Sequence, residues 1–302
     1  MVDYISMRTD NIFGYPLPDN EGKMPDIYEV GQLEMYIQRH KKGGHIKHYC
    51  CESNSLMFIL TERVLIVSNS LHKFLKNENH SDFTNLQLLK SIRLIECLTG
   101  ISAENFHITK FELAINIETN QHPYKYLESF GNYKNREPDK MKIKGFRYGI
   151  KYIFSEYHVK IYDKTEEIKR REREKLSKNT LRFEIQYEKL RKTSIIKTLN
   201  DFRDKENLIM LFDDFLETFA KIDYIGNEDF STIGQKEREL YFAGQIQRYW
   251  MVEKIINRNT AKSKMARYSR IKAHVYAKTF SDIFLPPLQE KIKELLHNLN
   301  SG

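Results

Sequence analysis

Three segments of the chain alternate apolar and polar residues strictly: 111–117, 158–162 and 181–187. Successive side chains of a β-strand point to opposite faces of a sheet, so each segment predicts a strand with one apolar and one polar face. The polar positions carry most of the functional groups. They are Glu112, Ala114 and Asn116 in the first segment, His158, Lys160 and Tyr162 in the second, and Arg182, Glu184 and Gln186 in the third.

Other segments predict further strands and helices. Strands are expected at 2–8, 56–60 and 64–67, the last with a possible continuation as a helix, and at 148–154. Leucine and isoleucine recur at helical spacing from Thr84 to Leu98, with Gly100 as the stop signal. Residues 14–44 and 132–144 are predicted as loops, 123–130 as a short helix and 165–178 as an exposed, solvated charged helix. The strands follow one another as in hairpins, which favours an α+β fold with a central antiparallel sheet and helices on one face.

Only helical periodicity remains after Ser194, with breaks predicted near 223–234 and at Pro286–Pro287. We therefore expect a boundary near 192–205. It separates a sheet domain over 1–200 from a helical region over 201–302. The sequence contains no internal repeat.

The formal net charge of +8 favours a polyanionic partner, because Lys and Arg neutralise phosphates. The odd number of cysteines, with Cys50 and Cys51 adjacent, is typical of a reducing compartment. The first ten residues lack the long apolar run of a signal peptide, and the sequence contains no uncharged stretch of membrane-spanning length. We therefore expect a cytoplasmic protein with no membrane partner.

The three polar strand faces suggest a catalytic site. If the strands are neighbours, Glu112, Glu184 and Tyr162 come within reach of one another; the alternative is an ordinary solvated sheet face. Carboxylates suit Mg²⁺ or Mn²⁺, which can polarise a phosphodiester, and a tyrosine can attack one. Lys164, two residues after Tyr162, could lower the pKa of the phenol or bind the phosphate.

The same segments resemble the gene II/gene X replication initiators of filamentous phages and, more distantly, the rolling-circle initiators of plasmids. Residues 1–4 resemble the first strand of that family, and 110–115 its strand with an acid, which is usually Asp where this chain has Glu112. Residues 159–167 resemble the segment with the active-site tyrosine, and 181–185 the closing Leu/Val-Arg-Phe-Glu strand. The resemblance spans roughly residues 1–220.

The resemblance implies a role for several residues. Tyr162 would be the nucleophile that nicks one DNA strand and forms a 5′-phosphotyrosine link, with Lys164 supporting the phenolate or the phosphate. Glu112 and Glu184 would bind Mg²⁺ or Mn²⁺, with Glu167 as the third ligand and Glu166 as its rival.

Two features qualify and extend this interpretation. The wider nicking superfamily often binds its metal through a His-x-His pair, and the sequence has none, so carboxylates would have to serve here. Lys160 and Arg182, on the same predicted face, are expected to contact DNA.

The C-terminal third is rich in bases and aromatic residues. Residues 241–256 and 261–278 are predicted as two helices joined by a tight turn, with Thr260 as the N-cap of the second, as in a helix-turn-helix. The second helix would present Lys264, Arg267 and Arg270 to DNA. The alternative is a pair of amphipathic surface helices with basic faces.

The functional hypothesis is a rolling-circle replication initiator, a metal-dependent nicking and closing enzyme that acts on origin DNA. A second copy of the chain and a host helicase are candidate protein partners. A relaxase or transposase with the same chemistry, and a non-enzymatic DNA-binding regulator, are the alternatives.

Overall fold

Eleven strands form one antiparallel sheet in the computed structural model of the protein. The structure describes residues 1–10, 25–39, 46–61, 64–190, 195–224, 233–275 and 280–297. The strands are β1 (Val2–Thr9), β2 (Ile27–Val30), β3 (Leu33–Arg39), β4 (Ile46–Ser53), β5 (Leu56–Leu60), β6 (Leu65–Ser70), β7 (His107–Glu118), β8 (Asp139–Ile143), β9 (Phe146–Ile153), β10 (Tyr157–Asp163) and β11 (Thr180–Tyr187). Their order across the sheet is β2-β3-β4-β5-β6-β1-β7-β11-β10-β9-β8.

Helices connect the strands and make up most of the C-terminal part. They are α1 (Leu71–Lys76), α2 (Asn85–Thr99), α3 (Tyr124–Leu127), α4 (Lys164–Arg171), α5 (Lys205–Ala220), α6 (Gln235–Gly244), α7 (Gln247–Ile256), α8 (Arg258–Val275), α9 (Phe280–Ile283) and α10 (Leu285–His297). The predicted class, an α+β fold with an antiparallel sheet and a helical C-terminal region, is confirmed.

The three alternating segments lie side by side as β7, β11 and β10. Glu184 of β11 is opposite Lys160 of β10, and Arg182 of β11 is opposite Tyr162. On its other side Arg182 is opposite Asn116 of β7. The register therefore places the polar positions of all three strands on one face of the sheet.

The apolar positions of the same strands form the main hydrophobic core under α2, α5, α9 and α10. Phe183 of β11 illustrates the packing, because its ring meets Phe219 of α5 edge-on at 5.2 Å and tilts against Phe284 at 5.4 Å between centroids. Full burial of such a side chain contributes about 1.5–3 kcal/mol. The core thus fixes the sheet from one side and leaves the polar face for other contacts.

Helix α2 begins and ends where the sequence predicts. The Thr84 hydroxyl accepts from the backbone N–H of Gln87, whose side chain accepts from the backbone N–H of Thr84, as in a capping box. Gly100 ends the helix in the left-handed conformation.

Two predicted loops contain strands. Residues 27–39 form the hairpin of β2 and β3, and 139–143 form the edge strand β8; residues 11–24 and 40–45 lie outside the described ranges. Strand β8 is mostly exposed and pairs only with β9, so it needs no apolar alternation. Lysines on such an edge disfavour pairing with another chain. The charged residues of this edge strand are the reason why the prediction of a loop over 132–144 is wrong.

The charged segment 165–178 is shorter as a helix and less solvated than predicted. Helix α4 ends at Arg171, and its first turn is buried. Glu166 accepts from Arg170 at 2.6 Å, and Glu167 accepts from Lys164 at 2.9 Å. The prediction of a solvated helix is therefore wrong at its N-terminal end, because bases within the same helix neutralise its acids.

The C-terminal helices divide between two cores. Helices α5, α9 and α10 belong to the core of the sheet, whereas Tyr241, Ile271 and Val275 form a separate small cluster between α6 and α8. The domain boundary near residue 200 stays a prediction. None of the helices in the described ranges combines the length and apolar composition needed to cross a bilayer.

The predicted helix pair differs in detail. Residues 241–256 are interrupted between Gly244 and Gln247, where α6 gives way to α7. The N-terminal turn of α8 is capped by Asn257, whose side-chain oxygen accepts from the backbone N–H groups of Asn259 and Thr260, so Thr260 is not the cap. The two prolines at 286–287 lie in the first turn of α10, where proline is tolerated.

Candidate active site

Tyr162 and Glu184 form the centre of a buried polar cluster on the sheet. The Tyr162 hydroxyl donates to Oε2 of Glu184 at 2.9 Å. Tyr162 lies on β10, and Glu184 lies on the neighbouring strand β11, two residues from the position directly opposite Tyr162. Both side chains therefore point to the same face. Only 5% of Tyr162 and 3% of Glu184 are exposed. A nucleophile and a basic group at this distance are the elements from which covalent catalysis is built.

Glu184 is held in place by two cations. Lys160 donates to its Oε1 at 2.6 Å, and Nε of Arg182 lies 3.2 Å from its Oε2. Lys160 also reaches Oε1 of Glu112 at 3.5 Å. Lys160 therefore bridges the two predicted metal-binding carboxylates, and Glu184 faces Tyr162 with little freedom to turn.

Arg182 connects the cluster to the first strand and to the segment after α1. It forms an ion pair with Asp3, and its Nη1 donates to the backbone oxygen of Asn79 at 3.0 Å and approaches Oδ1 of Asn116 at 3.4 Å. Asp3 also accepts from Ser70 at 2.6 Å. Every polar group of this buried guanidinium therefore faces an acceptor, as its burial requires.

Lys164 forms the other side of the cluster. It is buried and donates to Oε2 of Glu167 and to Oδ1 of Asn79, both at 2.9 Å. Asp163 begins α4 by accepting from the backbone N–H of Glu166. Because α4 starts directly after β10, Lys164 is the first residue of a helix, and its side chain turns inward instead of continuing along the strand.

The electrostatics keep the phenol protonated. Burial raises the pKa of Tyr162 well above its usual value; Arg182 opposes this, and the carboxylates of Glu184 and Glu167 add to it. Burial, together with the Arg182 charge, lowers the pKa of Lys164. The ground state of the cluster therefore has a neutral tyrosine beside a fixed carboxylate.

The two carboxylates bridged by Lys160 differ in their proton affinity. Burial, and then repulsion from Glu184, raises the pKa of Glu112 to about 7. Burial also acts to raise the pKa of Glu184, but Lys160 and Arg182 outweigh it and lower that pKa below its ordinary value. Glu184 therefore stays ionised over the pH range in which Glu112 takes up a proton.

The predicted ligands of a metal ion are only partly brought together. Glu112 and Glu184 share Lys160, whereas Glu167 is paired with Lys164 and with Arg171 at 3.5 Å. Glu166 faces the bases of α4. Across the described ranges, His, Cys, Asp and Glu side chains form no group of three or more spaced to hold a metal ion. Two carboxylates of the predicted set thus remain as ligands that one ion could share.

Sequence reasoning missed two members of the cluster. Asp3 lies in a segment that resembles the family's first strand, so an acid there was the available signal. Asn79 lies in a polar stretch with no periodicity, and the sequence gives no signal for it. Both are recognisable only from their contacts with Arg182 and Lys164.

The predicted DNA-binding residues of α8 are separate from this cluster. Lys264 pairs with Glu253 at 2.8 Å, and Arg267 approaches Glu237 at 3.4 Å. Arg270 is exposed. Of the three, the first two therefore share their charge with an acid of a neighbouring helix.

No known family model and no curated protein matches the chain. Among solved structures it is similar to the rolling circle replication initiator protein from Geobacillus stearothermophilus, with 15% identity, a TM-score of 0.42, and coverage of 79% of this chain and 90% of that one. That protein belongs to the class that the sequence motifs resemble. A similarity at this identity and TM-score assigns neither a site nor an activity to this chain.

Proposed function

We propose that the protein is a rolling-circle replication initiator that nicks one strand of origin DNA with Tyr162. The observation that carries this proposal is the hydrogen bond from Tyr162 to Glu184, within a cluster that holds the carboxylate through Lys160 and Arg182. Nucleophile, base and orienting group recur in this arrangement wherever a hydroxyl is activated for attack. A merely solvated sheet face has no need of such mutual burial.

The proposed step is a transesterification. The Tyr162 oxygen attacks a DNA phosphorus atom and its proton passes to Glu184. The bond from phosphorus to the 3′-oxygen breaks, and that oxygen takes a proton from solvent to become a 3′-hydroxyl. The 5′-phosphate stays on the tyrosine, so the energy of the phosphodiester is conserved and the strand can be rejoined.

The cations of the cluster would stabilise the negative charge of the reacting phosphate. Arg182 lies 3.2 Å from Glu184, and Lys164 is buried beside Glu167, so both are fixed before DNA arrives. Preorganised charges of this kind act without reorganising during the reaction. Lys160, whose side chain is 18% exposed at the margin of the cluster, is proposed to contact the DNA backbone.

We propose that Glu112 and Glu184 are the carboxylates that hold Mg²⁺ or Mn²⁺. Mg²⁺ is usually bound through one or two carboxylates together with phosphate oxygens and water, so the pair is sufficient. Burial, and then repulsion from Glu184, disfavours the charged form of Glu112, and a divalent ion would favour it. When bound, the ion would polarise the phosphate. Glu167 stays the predicted third ligand, with Glu166 as its alternative.

The basic face of α8 is proposed to recognise double-stranded origin DNA. Arg270 is the residue of the predicted set best placed for this, since it is exposed whereas Lys264 and Arg267 share their charge with acids of neighbouring helices. Charge reversal at Arg270 should weaken binding and reduce its salt dependence, while Tyr162 and its chemistry remain intact. A filter-binding or anisotropy titration over a range of salt concentrations measures both effects.

Label transfer tests the chemistry. The full chain is incubated with Mn²⁺ and 3′-labelled single strands that tile the DNA carrying its gene, and covalent adducts are resolved on a denaturing gel. We expect one strand to label the protein and Tyr162→Phe to remove the label. The matched control is Tyr148→Phe, because the Tyr148 ring packs edge-on against Tyr162 at 5.7 Å.

The outcomes separate the hypotheses. An adduct that survives in Tyr162→Phe excludes Tyr162 as the nucleophile. The absence of any adduct with the wild-type chain favours a non-enzymatic DNA-binding protein. A relaxase or transposase leaves the same 3′-hydroxyl, so an origin hairpin beside the gene, and not the adduct, separates a replication initiator from them.

A further inference from the structure

A cavity lies between the C-terminal helices and the body of the protein, away from Tyr162. Its volume is about 440 Å³, within the range of about 300–1,000 Å³ that ligand pockets occupy. Its walls come from the segment 132–135, the end of α5, and helices α6, α7 and α8. Helix α5 covers the apolar face of the sheet, whereas Tyr162 lies on the polar face, so the cavity and the polar cluster are distinct sites.

Two aromatic rings form a fixed wall of this cavity. The indole N–H of Trp250 donates to the backbone oxygen of Gly244 at 2.7 Å, and the Trp250 and Tyr268 rings meet at 61° with centroids 5.5 Å apart. A Cβ atom at Gly244 would collide with the Tyr268 ring and lie 3.0 Å from Trp250. Because residue 244 is glycine, both rings can pack against the backbone at this point. This packing fixes their position as a wall against which a flat ligand can stack.

The remaining walls are basic. Four lysines and one aspartate line the cavity: Lys134, Lys221, Lys254, Lys272 and Asp223. Asp223 is already in an ion pair with Lys272. Lys221 pairs with Glu217, so Lys134 and Lys254 supply the positive charge that suits phosphate groups, since lysine ammonium groups bind them as point charges.

Side-chain amides also line the cavity, together with Met251, Met265 and Ser269. Asn132, Asn135 and Gln247 contribute groups that both donate and accept hydrogen bonds, as the edge of a nucleobase requires. A flat ring, phosphates and a polar base edge are combined in a nucleotide. A base stacked inside a duplex cannot present its ring face to Trp250, so an unpaired nucleotide fits and a paired one does not.

We propose that this cavity binds an unpaired nucleotide of single-stranded DNA, with the base against Trp250 and Tyr268 and its phosphates near the lysines. The proposal deepens the proposed function. It rests on that function only for the identity of the strand, which would be the one exposed when the origin is opened and nicked. Binding itself needs neither Tyr162 nor a metal ion.

Trp250 provides a direct test, because it is the only tryptophan of the chain. The full protein is titrated without divalent metal with a short oligothymidylate, while tryptophan fluorescence and the anisotropy of the labelled oligonucleotide are recorded. We expect quenching that parallels binding, and no comparable quenching by a duplex of the same length. The titration contains neither divalent metal nor a nick site, so a failure to bind here and a failure to nick are separate results.

Substitutions test whether the single strand binds in this cavity. Tyr268→Ala should weaken binding by about 5–150-fold, the equivalent of about 1–3 kcal/mol for one stacked base. Tyr268→Phe keeps the ring and should bind as the wild type does, which controls for disruption of the helices. Lys254→Glu, on an exposed residue, should also weaken binding and flatten its salt dependence, whereas Lys262→Glu on the exposed part of α8 outside the cavity should do less.

Two results would overturn the proposal. One is binding detected by anisotropy without a change in Trp250 fluorescence, which would place the strand elsewhere. The other is equal quenching by duplex and single strand, which would show that no unpaired base enters the cavity.

Discussion

Gly149 of β9 lies directly opposite Tyr162 of β10, and the Cβ of Tyr162 fills the space that a side chain at Gly149 would occupy. The same space is bounded by the backbone oxygen of Ile161, 2.9 Å from the position of a Cβ. Strand β9 therefore needs glycine at position 149, because any side chain there would collide with Tyr162 and with the backbone of β10. This close approach fixes how deeply the tyrosine sits in the cluster.

Gly149→Ala should displace Tyr162 from Glu184. We expect a loss of about 1–3 kcal/mol in the free energy of unfolding, as for other overpacked sites, and a larger proportional loss of DNA adduct. Urea unfolding and label transfer measure the two effects. Lys151→Ala, two residues along the same strand and half-buried, is the control. Wild-type adduct formation by Gly149→Ala would show that the position of Tyr162 is not critical.

Tyr162→Phe should fold normally but be less stable. The variant loses one hydrogen bond to a charged acceptor, while Glu184 keeps Lys160 and Arg182. We expect a decrease of about 1–3 kcal/mol in the free energy of unfolding at an unchanged denaturant slope. A changed slope would mean that the variant alters the fold, and its lack of adduct would then say nothing about chemistry.

The raised pKa of Glu112 predicts a pH dependence of stability. The pKa is about 7 in the folded protein and near its ordinary value of 4.5 in the unfolded chain. Between these values the folded state binds more protons than the unfolded state, so the free energy of unfolding falls as pH rises from 4.5 to 7. Above pH 7 this contribution is constant.

Glu112→Gln removes that titration. Relative to the wild type, the variant should gain stability between pH 5 and 8, by on the order of 2–3 kcal/mol. The difference between the two unfolding curves at each pH isolates Glu112 from the other groups. A parallel pH dependence in both proteins would show that Glu112 ionises normally in the folded state.

Divalent metal should act through the same carboxylate. An ion that binds the folded state at a concentration about a hundredfold above its Kd stabilises it by about 2.7 kcal/mol. We expect Mn²⁺ to raise the Tm of the wild type more at pH 8 than at pH 5, where Glu112 is protonated, and to have little effect on Glu112→Gln. Glu118→Gln, at the exposed end of β7, is the control. An equal effect on all three proteins would place the ion elsewhere.

Lys160→Met should be strongly destabilising. It leaves the buried Glu184 and the neighbouring Glu112 without their shared cation, at a cost of about 3–5 kcal/mol. Adding Glu112→Gln should recover part of that loss, with a coupling energy of about 0.5–3 kcal/mol in a double-mutant cycle. Lys151→Met, opposite Lys160 in the sheet, controls for loss of a lysine on this face. Additive losses would mean that the bridge contributes nothing.

Much of the sheet and the centre of the site could be predicted from the sequence. Strict alternation in β7, β10 and β11 determines which side chains share a face, so Glu112, Lys160, Tyr162 and Glu184 were identified correctly as neighbours. Period-two patterning is informative only where one face is buried. That condition holds in the middle of this sheet and fails at its edge, in β8.

The extent of burial could not be predicted from the sequence. The polar face is covered at one end by α4 and by the segment around Asn79, and neither carries an apolar pattern that would mark it as a packed element. Lys164 comes two residues after Tyr162, where a continued strand would leave it exposed. Only the Asp163 cap, which begins a helix there, turns it inward.

The bridging position of Lys160 has a consequence for how this sequence can diverge. Lys160, Arg182 and Glu184 each have two charged partners in the cluster, so replacing one residue alone leaves a buried charge without one of its partners. Changes that survive should therefore come in compensating sets, with residues 112, 160 and 184 varying together among related chains. Covariation of those three positions in an alignment would reveal the cluster without a structure.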